Sequence, residues 1–440
     1  MFATVIISAK AAKKISAGHP WVYAGDILSR RFGCAGIVGV VDKSRKFIGQ
    51  AFYSPKSKIA LRFITRSKER IDKDFWVNRV KNAFKRRSPQ KASDAFRVVH
   101  AESDGMPSIV IDKYNDIVSF QITSAGAESV KGDIVSAIKA VLEPASIIEK
   151  DNVAAREKEG LPMIEKAVFG EKTATIVCEA GQKFEVDVLH GQKTGAYLDY
   201  RAFRLKAREL SLRAPSLSRG EAISRKQLNS GDCFVPLRRT RNDERVALDL
   251  FCYQGWFACH LAGTGICKIV AVDASKDAIE AAKRNAELNG IPVCHSRGSK
   301  RESHEIPAYY CGDDRGIEFV CEDAFEFLTK CNDKFDFIHL DPPPFAKGKE
   351  ALPAALKGYK KLLTAAFKLL KPEGVLFVSS CSHHVSEGLL EKMIAECAKI
   401  SNLKFQIIFR GIQDKDHPVL KGFSESLYLK AIAGRISVAK

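Results

Sequence analysis

The pattern of hydrophobic and polar positions changes twice along the 440-residue chain. Within the first 70 residues, short runs rich in β-branched and aromatic residues alternate with Gly, Pro and Ser turns; the runs are TVIIS, GIVGVVD, KFIGQAFYS and KIALRFIT. This spacing predicts a small β-barrel or sandwich. From about residue 72 to 185 the pattern is mixed, with two helix-like stretches, FWVNRVKNAFKRR and AESVKGDIVSAIKAVL, on either side of two β runs, SIVIDKY and DIVSFQI.

After about residue 190, apolar strands alternate with amphipathic helices, which predicts a parallel sheet of the α/β class. The predicted strands are VALDLF, KIVAVDAS, EFVCEDAF, FDFIHLD and GVLFVSS, and the predicted helices are WFACHLAG, KDAIEAAKRNAELNG and YKKLLTAAFKLLKPEG. KFQIIFR and SLYLKAIAGRI predict an antiparallel pair at one edge. Residues 211–243 and 293–316 are polar and long for connections in a compact sheet, so we interpret both as insertions that are mobile or bind a partner.

The formal net charge of +18 is concentrated in two segments. Residues 1–70 carry fourteen Lys and Arg against three Asp and Glu, and residues 201–245 carry twelve against five. Such a basic surface favours a polyanionic partner, most simply nucleic acid, through phosphate contacts and counterion release. The alternative is a basic face that is merely solvated.

Composition also bears on location and on metal chemistry. No apolar run approaches the roughly 18 to 20 residues that span a bilayer, and the first residues do not fit a secretory signal, so we expect a cytoplasmic protein without a membrane partner. The twelve cysteines include no CxxC pair, so no zinc-ribbon site is expected. Most of them are predicted to be reduced thiols that pack as small hydrophobic side chains.

Each predicted strand of the parallel sheet ends in a polar or reactive side chain. The five are Asp249, Asp273, Asp323, Asp341 and Cys381. Because ligands of an open α/β sheet bind beyond the carboxyl ends of the strands, we expect these side chains to line one site. One such carboxylate alone would be interpreted as a helix cap or a surface acid. Five at successive strand ends are a much stronger signal.

The carboxylate at the end of the second strand indicates the kind of cofactor. Asp273 can hold both ribose hydroxyls of an adenosine group, since a carboxylate accepts two hydrogen bonds at once. Asp323 could accept a hydrogen bond from an adenine amino group. The first turn contains Gly255 but no GxGxxG phosphate loop, and GxxxxGK[ST] is absent, so a nucleoside cofactor is expected rather than a dinucleotide.

Several motifs resemble one known family, and together they cover the chain apart from the two insertions. In the C-terminal half they are DLFCYQGWFA, VAVDASKDAIEAAKRNAELNG, FDFIHLDPPPFAKGK, GYKKLLTAAFKLLKPEGVLFVSSCS and DHPVLKGFSESLYLKAIAGRI. Upstream they are GHPWVYAGDI, GQAFYSPKSKIALR, AESDGMPSIVIDKYNDIVSFQITSAGAE, DNVAAREKEG and HGQKTGAYLDYRAFR. This set resembles the ribosomal large subunit methyltransferase I family, whose members make 5-methylcytosine in 23S rRNA.

The resemblance implies three domains. They are a PUA-like RNA-binding module at 1–70, a central α/β domain at 71–187, and a Rossmann-like class I methyltransferase domain at 188–440 that contains both insertions. The implied cofactor is S-adenosylmethionine and the implied partner is RNA, most specifically large-subunit rRNA. A homodimer is also suggested by the resemblance.

The resemblance further implies roles for single residues. The cofactor would lie against the first turn, with Asp273 at its ribose and Asp323 near its adenine; the residues around that turn are Asp249, Phe251, Tyr253 and Gly255. The residues expected to close over its methionine end are Lys193, Thr194, Tyr197, Asp199 and Arg201. Asp341 would face the target base, and Cys381 would be the nucleophile. The chain departs from the family pattern where Trp256 replaces a glycine, Tyr200 a glutamine and Pro344 a basic residue.

Cytosine C5 is a poor nucleophile, and this explains the need for a cysteine. Addition of a thiolate to C6 makes C5 nucleophilic and divides one difficult step into two easier ones. Asp341 suits hydrogen bonding to the N3/N4 edge of the base. His383 and His384 are candidates for activating Cys381 or accepting a proton, or they are surface residues. A metal site at these three residues is disfavoured, because adjacent histidines on an extended strand point to opposite faces.

Two other functions stay open at this point. Amino-group methyltransferases carry Asp-Pro-Pro-aromatic, and here the segment DPPPF displaces Phe345 by one position. An RNA-binding protein with an inactive methyltransferase domain would also explain the basic segments. The complete series of strand-end residues argues against the second alternative.

Overall fold

A computed structural model describes residues 3–29, 33–87, 92–212, 245–264, 266–294, 315–345 and 348–439. The chain divides into two compact units. The first comprises Met1–Cys178, Val186–Leu198 and Asp414–Leu427, and the second comprises Glu179–Glu185, Asp199–Gln413 and Tyr428–Lys440. Nearly all of the two predicted insertions, 211–243 and 293–316, lies outside the described residues.

The first unit begins with a five-stranded sheet that corresponds to the predicted small β domain. Its elements are β1 (Thr4–Ile6), α1 (Ala9–Ser16), β2 (Trp21–Tyr23), β3 (Gly36–Val41), β4 (Phe47–Tyr53) and β5 (Ile59–Thr65), in the sheet order β1-β3-β4-β5-β2. Ser8 caps α1, since its hydroxyl accepts a hydrogen bond from the Ala11 N–H at 3.1 Å. Alternate side chains of the strands, such as Val38, Val40 and Leu61, face a common apolar core.

A second five-stranded sheet follows in the same unit. Its elements are α2 (Lys73–Arg87), β6 (Ala95–His100), β7 (Ile109–Tyr114), β8 (Ile117–Ile122), α3 (Ala125–Glu128), α4 (Lys131–Leu142), β9 (Ser146–Lys150), α5 (Ala154–Glu159) and β10 (Glu165–Phe169), in the sheet order β10-β9-β8-β7-β6. The next strands, β11 (Ala174–Glu179) and β12 (Gln182–Asp187), form a two-stranded sheet.

The helix predicted as one element from 127 to 142 is two helices, α3 and α4. Val130 leaves helical geometry with φ −115° and ψ 14°. Ser129 ends α3 and donates its hydroxyl to the Gly126 carbonyl at 2.7 Å. A serine hydroxyl that takes a local carbonyl competes with the helical ladder, and the break falls directly after this residue.

The second unit contains an eight-stranded sheet with helices. Its elements are α6 (Arg201–Leu212), β13 (Val246–Leu250), α7 (Trp256–Ala262), β14 (Lys268–Asp273), α8 (Lys276–Leu288), β15 (Val293–Cys294), β16 (Gly316–Cys321), α9 (Ala324–Lys330), β17 (Phe335–Leu340), α10 (Leu352–Leu369), β18 (Leu370–Ser380), α11 (Glu387–Ile400), β19 (Leu403–Ile412) and β20 (Lys430–Val438). Helices α10 and α11 pack apolar side chains, including Leu362, Phe367 and Ile394, on the core of the sheet.

The order of this sheet is β15-β16-β14-β13-β17-β18-β20-β19. All strands from β13 to β18 pair in parallel, whereas β20 is antiparallel to both β18 and β19. The chain order therefore reverses at β13, which pairs with β14 on one side and β17 on the other. This reversal opens a crevice at the carboxyl ends of these strands, where α/β proteins bind ligands. The predicted α/β fold class, with a small β domain and a central α/β part before it, is confirmed.

Two element boundaries in the second unit differ from the sequence prediction, and the prediction lacks α11 among other helices. The strand predicted through Phe325 ends at Cys321, because Asp323 caps a helix instead. The helix predicted from Tyr359 begins at Leu352, where Pro353 in its first turn is well tolerated. Helix α11 was not predicted; Ser386 caps it by accepting from the Leu389 N–H at 3.2 Å. No helix of the described part of the chain is long and apolar enough to cross a membrane.

Candidate active site

The carboxyl edge of the large sheet collects three of the five residues that the strand pattern singles out, namely Asp273, Asp341 and Cys381. β13, β14, β16, β17 and β18 are parallel, so they all end at this edge. Asp273 ends β14, Asp341 directly follows β17, and Cys381 directly follows β18. The edge also receives the first residue of β20, because that strand runs the opposite way.

The turn after β13 is held in an uncommon backbone conformation. Phe251, Tyr253 and Gly255 all have positive φ, at 64°, 48° and 74°. Asp273 fixes this turn, since its Oδ2 accepts the Tyr253 N–H at 2.9 Å while its Oδ1 accepts the Ser275 N–H at 2.9 Å. A carboxylate oxygen has two acceptor positions, so each can still accept a hydrogen bond from a ligand.

Gly255 is required by space as well as by backbone geometry. A Cβ built at this position would lie 2.8 Å from the Cβ of Ala282 and 3.3 Å from the Phe319 ring. A φ of 74° is also strained for any residue with a side chain. The turn can therefore lie directly on helix α8 only with glycine here.

Asp249 lies inside the sheet and not at its surface. The residue is fully buried, and its Oδ1 is 2.7 Å from Nδ1 of His339 on the neighbouring strand β17. The His339 imidazole stacks on the Phe257 ring with 3.5 Å between centroids. Asp249 therefore lies in the interior of the sheet, where its carboxylate orients the His339 imidazole.

Asp323 is exposed and acts as the N-cap of α9. Its Oδ1 accepts the backbone N–H of Phe325 at 2.8 Å and that of Glu326 at 3.2 Å. This is the helix-cap interpretation that applies to any single carboxylate. Contact with an adenine amino group would use Oδ2, and that role stays a prediction.

Asp341 accepts two hydroxyl hydrogen bonds on one oxygen. The Ser379 hydroxyl donates to its Oδ1 at 2.7 Å, and the Tyr200 hydroxyl donates to the same atom. Burial, followed by the charges of Asp341 and Cys381, raises the pKa of Tyr200 well above its ordinary value. Tyr200 is therefore a neutral donor at physiological pH, and it orients the carboxylate together with Ser379.

Cys381 is half-buried and shares its surroundings with Asp341. The charges of both residues act on Tyr359, whose pKa is raised mainly by burial. The Tyr359 hydroxyl is 2.9 Å from the Ser380 hydroxyl, directly before the cysteine. We call Cys381, Asp341, Tyr200 and Tyr359 the cysteine cluster. These four side chains come from four separate segments of the second unit.

The two histidines after Cys381 differ in exposure. His383 is exposed, and its ring lies 5.9 Å from the Tyr428 ring. His384 is half-buried. Their proposed part in proton transfer stays a prediction.

The residues expected at the methionine end of the cofactor divide between the two units. In the first unit, the buried Thr194 hydroxyl contacts the Asp112 carboxylate and is 3.1 Å from the Tyr114 hydroxyl. The Lys193 amine lies 4.2 Å from the ring centroid of Tyr197.

In the second unit, Asp199 accepts a hydrogen bond from the Tyr428 hydroxyl at 2.8 Å, and Arg201 begins α6 as a buried residue. The cofactor contacts of all these residues stay predictions.

Comparison with known proteins decides the family. A family model described as PUA-like domain matches residues 5–66. A ribosomal RNA large subunit methyltransferase I from Enterobacter sp. (strain 638) is 32% identical over 448 residues, covering 99% of this chain and all of the relative. The protein of the same name from Escherichia coli (strain K12) is also 32% identical with the same coverage. The chain belongs to the ribosomal RNA large subunit methyltransferase I family.

Solved structures share the fold of this family member over almost its whole length. A protein from Streptococcus mutans described as a SAM-dependent methyltransferase superposes with a TM-score of 0.74 at 18% identity, covering 98% of this chain and 100% of that chain. A second methyltransferase structure, complexed with SAH, gives the same TM-score at 19% identity. At this identity the likeness concerns the fold.

The structure gives a physical account of one departure from the pattern of the ribosomal RNA large subunit methyltransferase I family. Trp256, in place of a glycine, stacks on the Phe184 ring with 4.2 Å between centroids. The Arg204 guanidinium lies 5.0 Å from the same indole. The large side chain is thus packed inside the second unit, and the positive φ falls on Gly255. At a second departure, Pro344 is exposed.

Sequence reasoning missed three residues of the site. Tyr200 was noted only as a departure from the family pattern, and the structure places its hydroxyl on Asp341. Ser379 and Lys430 were not singled out. The signal available for Ser379 was its place on the strand that ends at Cys381. For Lys430 the available signal was its place as the only charged residue in the otherwise uncharged run SLYLKAIAG.

Proposed function

We propose that this chain transfers the methyl group of S-adenosylmethionine to C5 of a cytosine in large-subunit rRNA, with Cys381 as the covalent nucleophile. The observation that carries the proposal is the cysteine cluster. A half-buried thiol and an oriented carboxylate share one environment at the carboxyl edge of the sheet. Family membership supports the coarser statement that the reaction is rRNA methylation.

The residues present fit a nucleoside cofactor. Asp273 is held between the first turn and the end of β14, and both of its oxygens keep acceptor capacity for two ribose hydroxyls. The tight turn at Gly255 packs directly against Ala282 of α8. When bound, S-adenosylmethionine supplies an electrophilic methyl group on a sulfonium. Phe251, Tyr253 and Gly255 would hold it, with Asp273 at the ribose.

The chain's own residues account for the remaining chemistry. The Cys381 thiolate adds to C6 of cytosine, and the electrons of the C5–C6 double bond make C5 nucleophilic. Asp341, oriented by Tyr200 and Ser379, accepts a hydrogen bond from the N4 amino group and so holds the target base in place. After C5 accepts the methyl group, a base takes the C5 proton, the electron pair of that C–H bond restores the double bond, and the Cys381 sulfur leaves as thiolate.

RNA binding is supported by the exposed cations of the PUA-like domain. Lys10, Lys13 and Lys14 are exposed on α1, and Lys43 and Lys46 are exposed at the turn between β3 and β4. Side chains of this kind bind phosphates without reading sequence. We propose that this domain positions the RNA.

Methylation of an exocyclic amino group is less consistent with the aromatic packing. That chemistry needs the aromatic side chain of the Asp-Pro-Pro segment to stack on the target base. Here the Phe345 ring packs on Tyr359 with 5.3 Å between centroids and on Phe325 with 6.1 Å. The ring is half-buried in these contacts.

Covalent trapping tests the proposal. Fluorine at C5 prevents the final elimination, so RNA that contains 5-fluorocytosine should form a stable adduct with the wild-type protein when S-adenosylmethionine is present. Cys381→Ser should abolish the adduct, and Cys331→Ser, at a half-buried cysteine outside the cysteine cluster, should form it normally. Absence of a wild-type adduct, or an adduct with Cys381→Ser, would contradict the C5 mechanism.

A second measurement isolates the cofactor site. Asp273→Asn removes the charge that accepts the ribose hydroxyls, so calorimetric binding of S-adenosylmethionine should weaken by roughly tenfold or more, for about 1.5–3 kcal/mol per charged hydrogen bond. Wild-type protein that binds no cofactor would favour an RNA-binding protein with an inactive domain.

A further inference from the structure

The last strand of the large sheet brings a lysine to the cysteine cluster. β20 is antiparallel to β18, and Lys430 lies opposite Ser380, the residue directly before Cys381. The Lys430 Nζ donates a hydrogen bond to the Ser382 carbonyl, directly after Cys381, at 2.5 Å. The backbone of Lys430 therefore pairs with the residue before the cysteine, and its amine contacts the residue after it.

The environment of Lys430 is unusual for a lysine. The residue is 7% exposed, and lysine side chains are rarely buried without a partner charge. Within the part of the chain that the structure describes, no carboxylate forms an ion pair with Lys430. Burial lowers the pKa of Lys430 to about 8, and the negative charge of Cys381 acts in the opposite direction. Cys381 is thus the described group whose negative charge favours the Lys430 ammonium.

We propose that Lys430 is the positioning residue that generates and holds the Cys381 thiolate. The S–H bond of the cysteine breaks, an N–H bond forms on the lysine amine, and an ammonium–thiolate pair results without any other reactant. This inference rests on the proposed role of Cys381 as nucleophile. It assigns to Lys430 the activation for which the sequence offered only His383 and His384.

The other titratable groups around Cys381 explain why a cation is needed. Asp341 carries a negative charge in the same cluster, and two like charges at close range disfavour each other. Tyr200 and Tyr359 stay neutral, since burial raises the pKa of both. His383 lies against Tyr428. Without Lys430, the thiolate would form beside a carboxylate in a site that is largely buried.

Site-resolved alkylation of the full chain tests the assignment without any methylation assay. Iodoacetamide is applied between pH 6 and 10, and modification of the Cys381 peptide is measured by mass spectrometry, with the exposed Cys34 as internal reference. In the wild type, the pH midpoint should lie below the value of about 8.5 for an ordinary thiol. A wild-type midpoint at or above 8.5 would overturn the proposal.

Substitutions separate charge from structure. K430M should raise the midpoint by at least one pH unit and slow alkylation at pH 7 by about tenfold. K430R keeps a positive charge beside the thiolate, although arginine cannot take up the thiol proton, and it should keep the low midpoint. A low midpoint in K430R would show that a loss in K430M is not a folding effect. K404M removes an exposed lysine from β19 and should change nothing. An unchanged midpoint in K430M would refute the role.

The two proposals fail separately. A shift of the alkylation profile in K430M, combined with no adduct on 5-fluorocytosine RNA, would keep the lysine–cysteine pair and reject the C5 mechanism. An adduct that forms with a wild-type alkylation profile in K430M would keep the mechanism and reject Lys430 as the activating residue.

Discussion

Replacement of Tyr200 by phenylalanine tests whether Asp341 must be oriented. Tyr200→Phe keeps the ring, which packs edge-on against Phe203 at 5.5 Å, and removes only the hydroxyl that donates to Asp341. A hydrogen bond to a charged group contributes about 1.5–3 kcal/mol. Ser379 still donates to the same oxygen, so we expect the lower end of this range, a loss of about 10- to 30-fold in kcat/KM.

The assay is the initial rate of methyl incorporation into unmodified large-subunit rRNA, with cofactor affinity measured alongside. Tyr200→Gln introduces the residue of the family pattern, whose amide can also donate to a carboxylate, and it should recover most of the activity. Ser379→Ala and the double variant complete a cycle. Because both hydroxyls donate to one oxygen, the double variant should lose more than the product of the single losses. Wild-type kcat/KM in Tyr200→Phe would refute the orienting role of this hydroxyl.

Three further predictions concern stability, cofactor binding and RNA affinity. Burial alone would raise the pKa of Glu179. The charge and paired hydrogen bonds of Arg204 nevertheless hold this pKa well below its ordinary value. The contribution of ionised Glu179 to folding stability is therefore complete above about pH 4.5 and is lost as the pH falls. Glu179→Gln should lower the free energy of unfolding in urea at pH 7 by about 3–5 kcal/mol, and it should make stability depend less steeply on pH in the acid range. Gly255→Ala should cost about 1–3 kcal/mol of stability and weaken calorimetric cofactor binding, because the new Cβ meets helix α8; unchanged binding would contradict the need for glycine. Lys13→Ala with Lys14→Ala should reduce the slope of log affinity against log salt by roughly 1.4 to 1.8 in RNA filter binding, and an unchanged slope would place the RNA elsewhere.

The parallel strands were predictable because their chemistry is local. A strand buried on both faces is a continuous apolar run, and the polar residue at its end reaches the carboxyl edge whatever the order of strands. Asp273, Asp341 and Cys381 could be placed in this way from the sequence. The turn at Gly255 could also be predicted from the sequence, since only glycine adopts a positive φ in close packing at a low cost in free energy.

The partners of these residues were not predictable from spacing. Tyr200 is 141 positions from Asp341, and Lys430 is 48 positions from Ser382. Both contacts depend on the order of strands in the sheet and on the antiparallel return of β20, which no local pattern encodes. Asp323 is the opposite case. Its sequence position is compatible both with a strand end and with a helix cap, and the structure shows that the helix cap forms.

The place of β20 in the sheet has a consequence for the timing of folding. This strand is synthesised after every other strand of the sheet, yet it lies between β18 and β19. A nascent chain that ends before Lys430 has two unpaired strand edges and lacks the amine beside Cys381. The second unit can therefore complete its sheet only after β20 has been synthesised, and under the proposed role of Lys430 a chain that lacks this strand carries a cysteine that is not yet activated. Insertion of the last strand would thus be the step that turns a nascent chain into an enzyme.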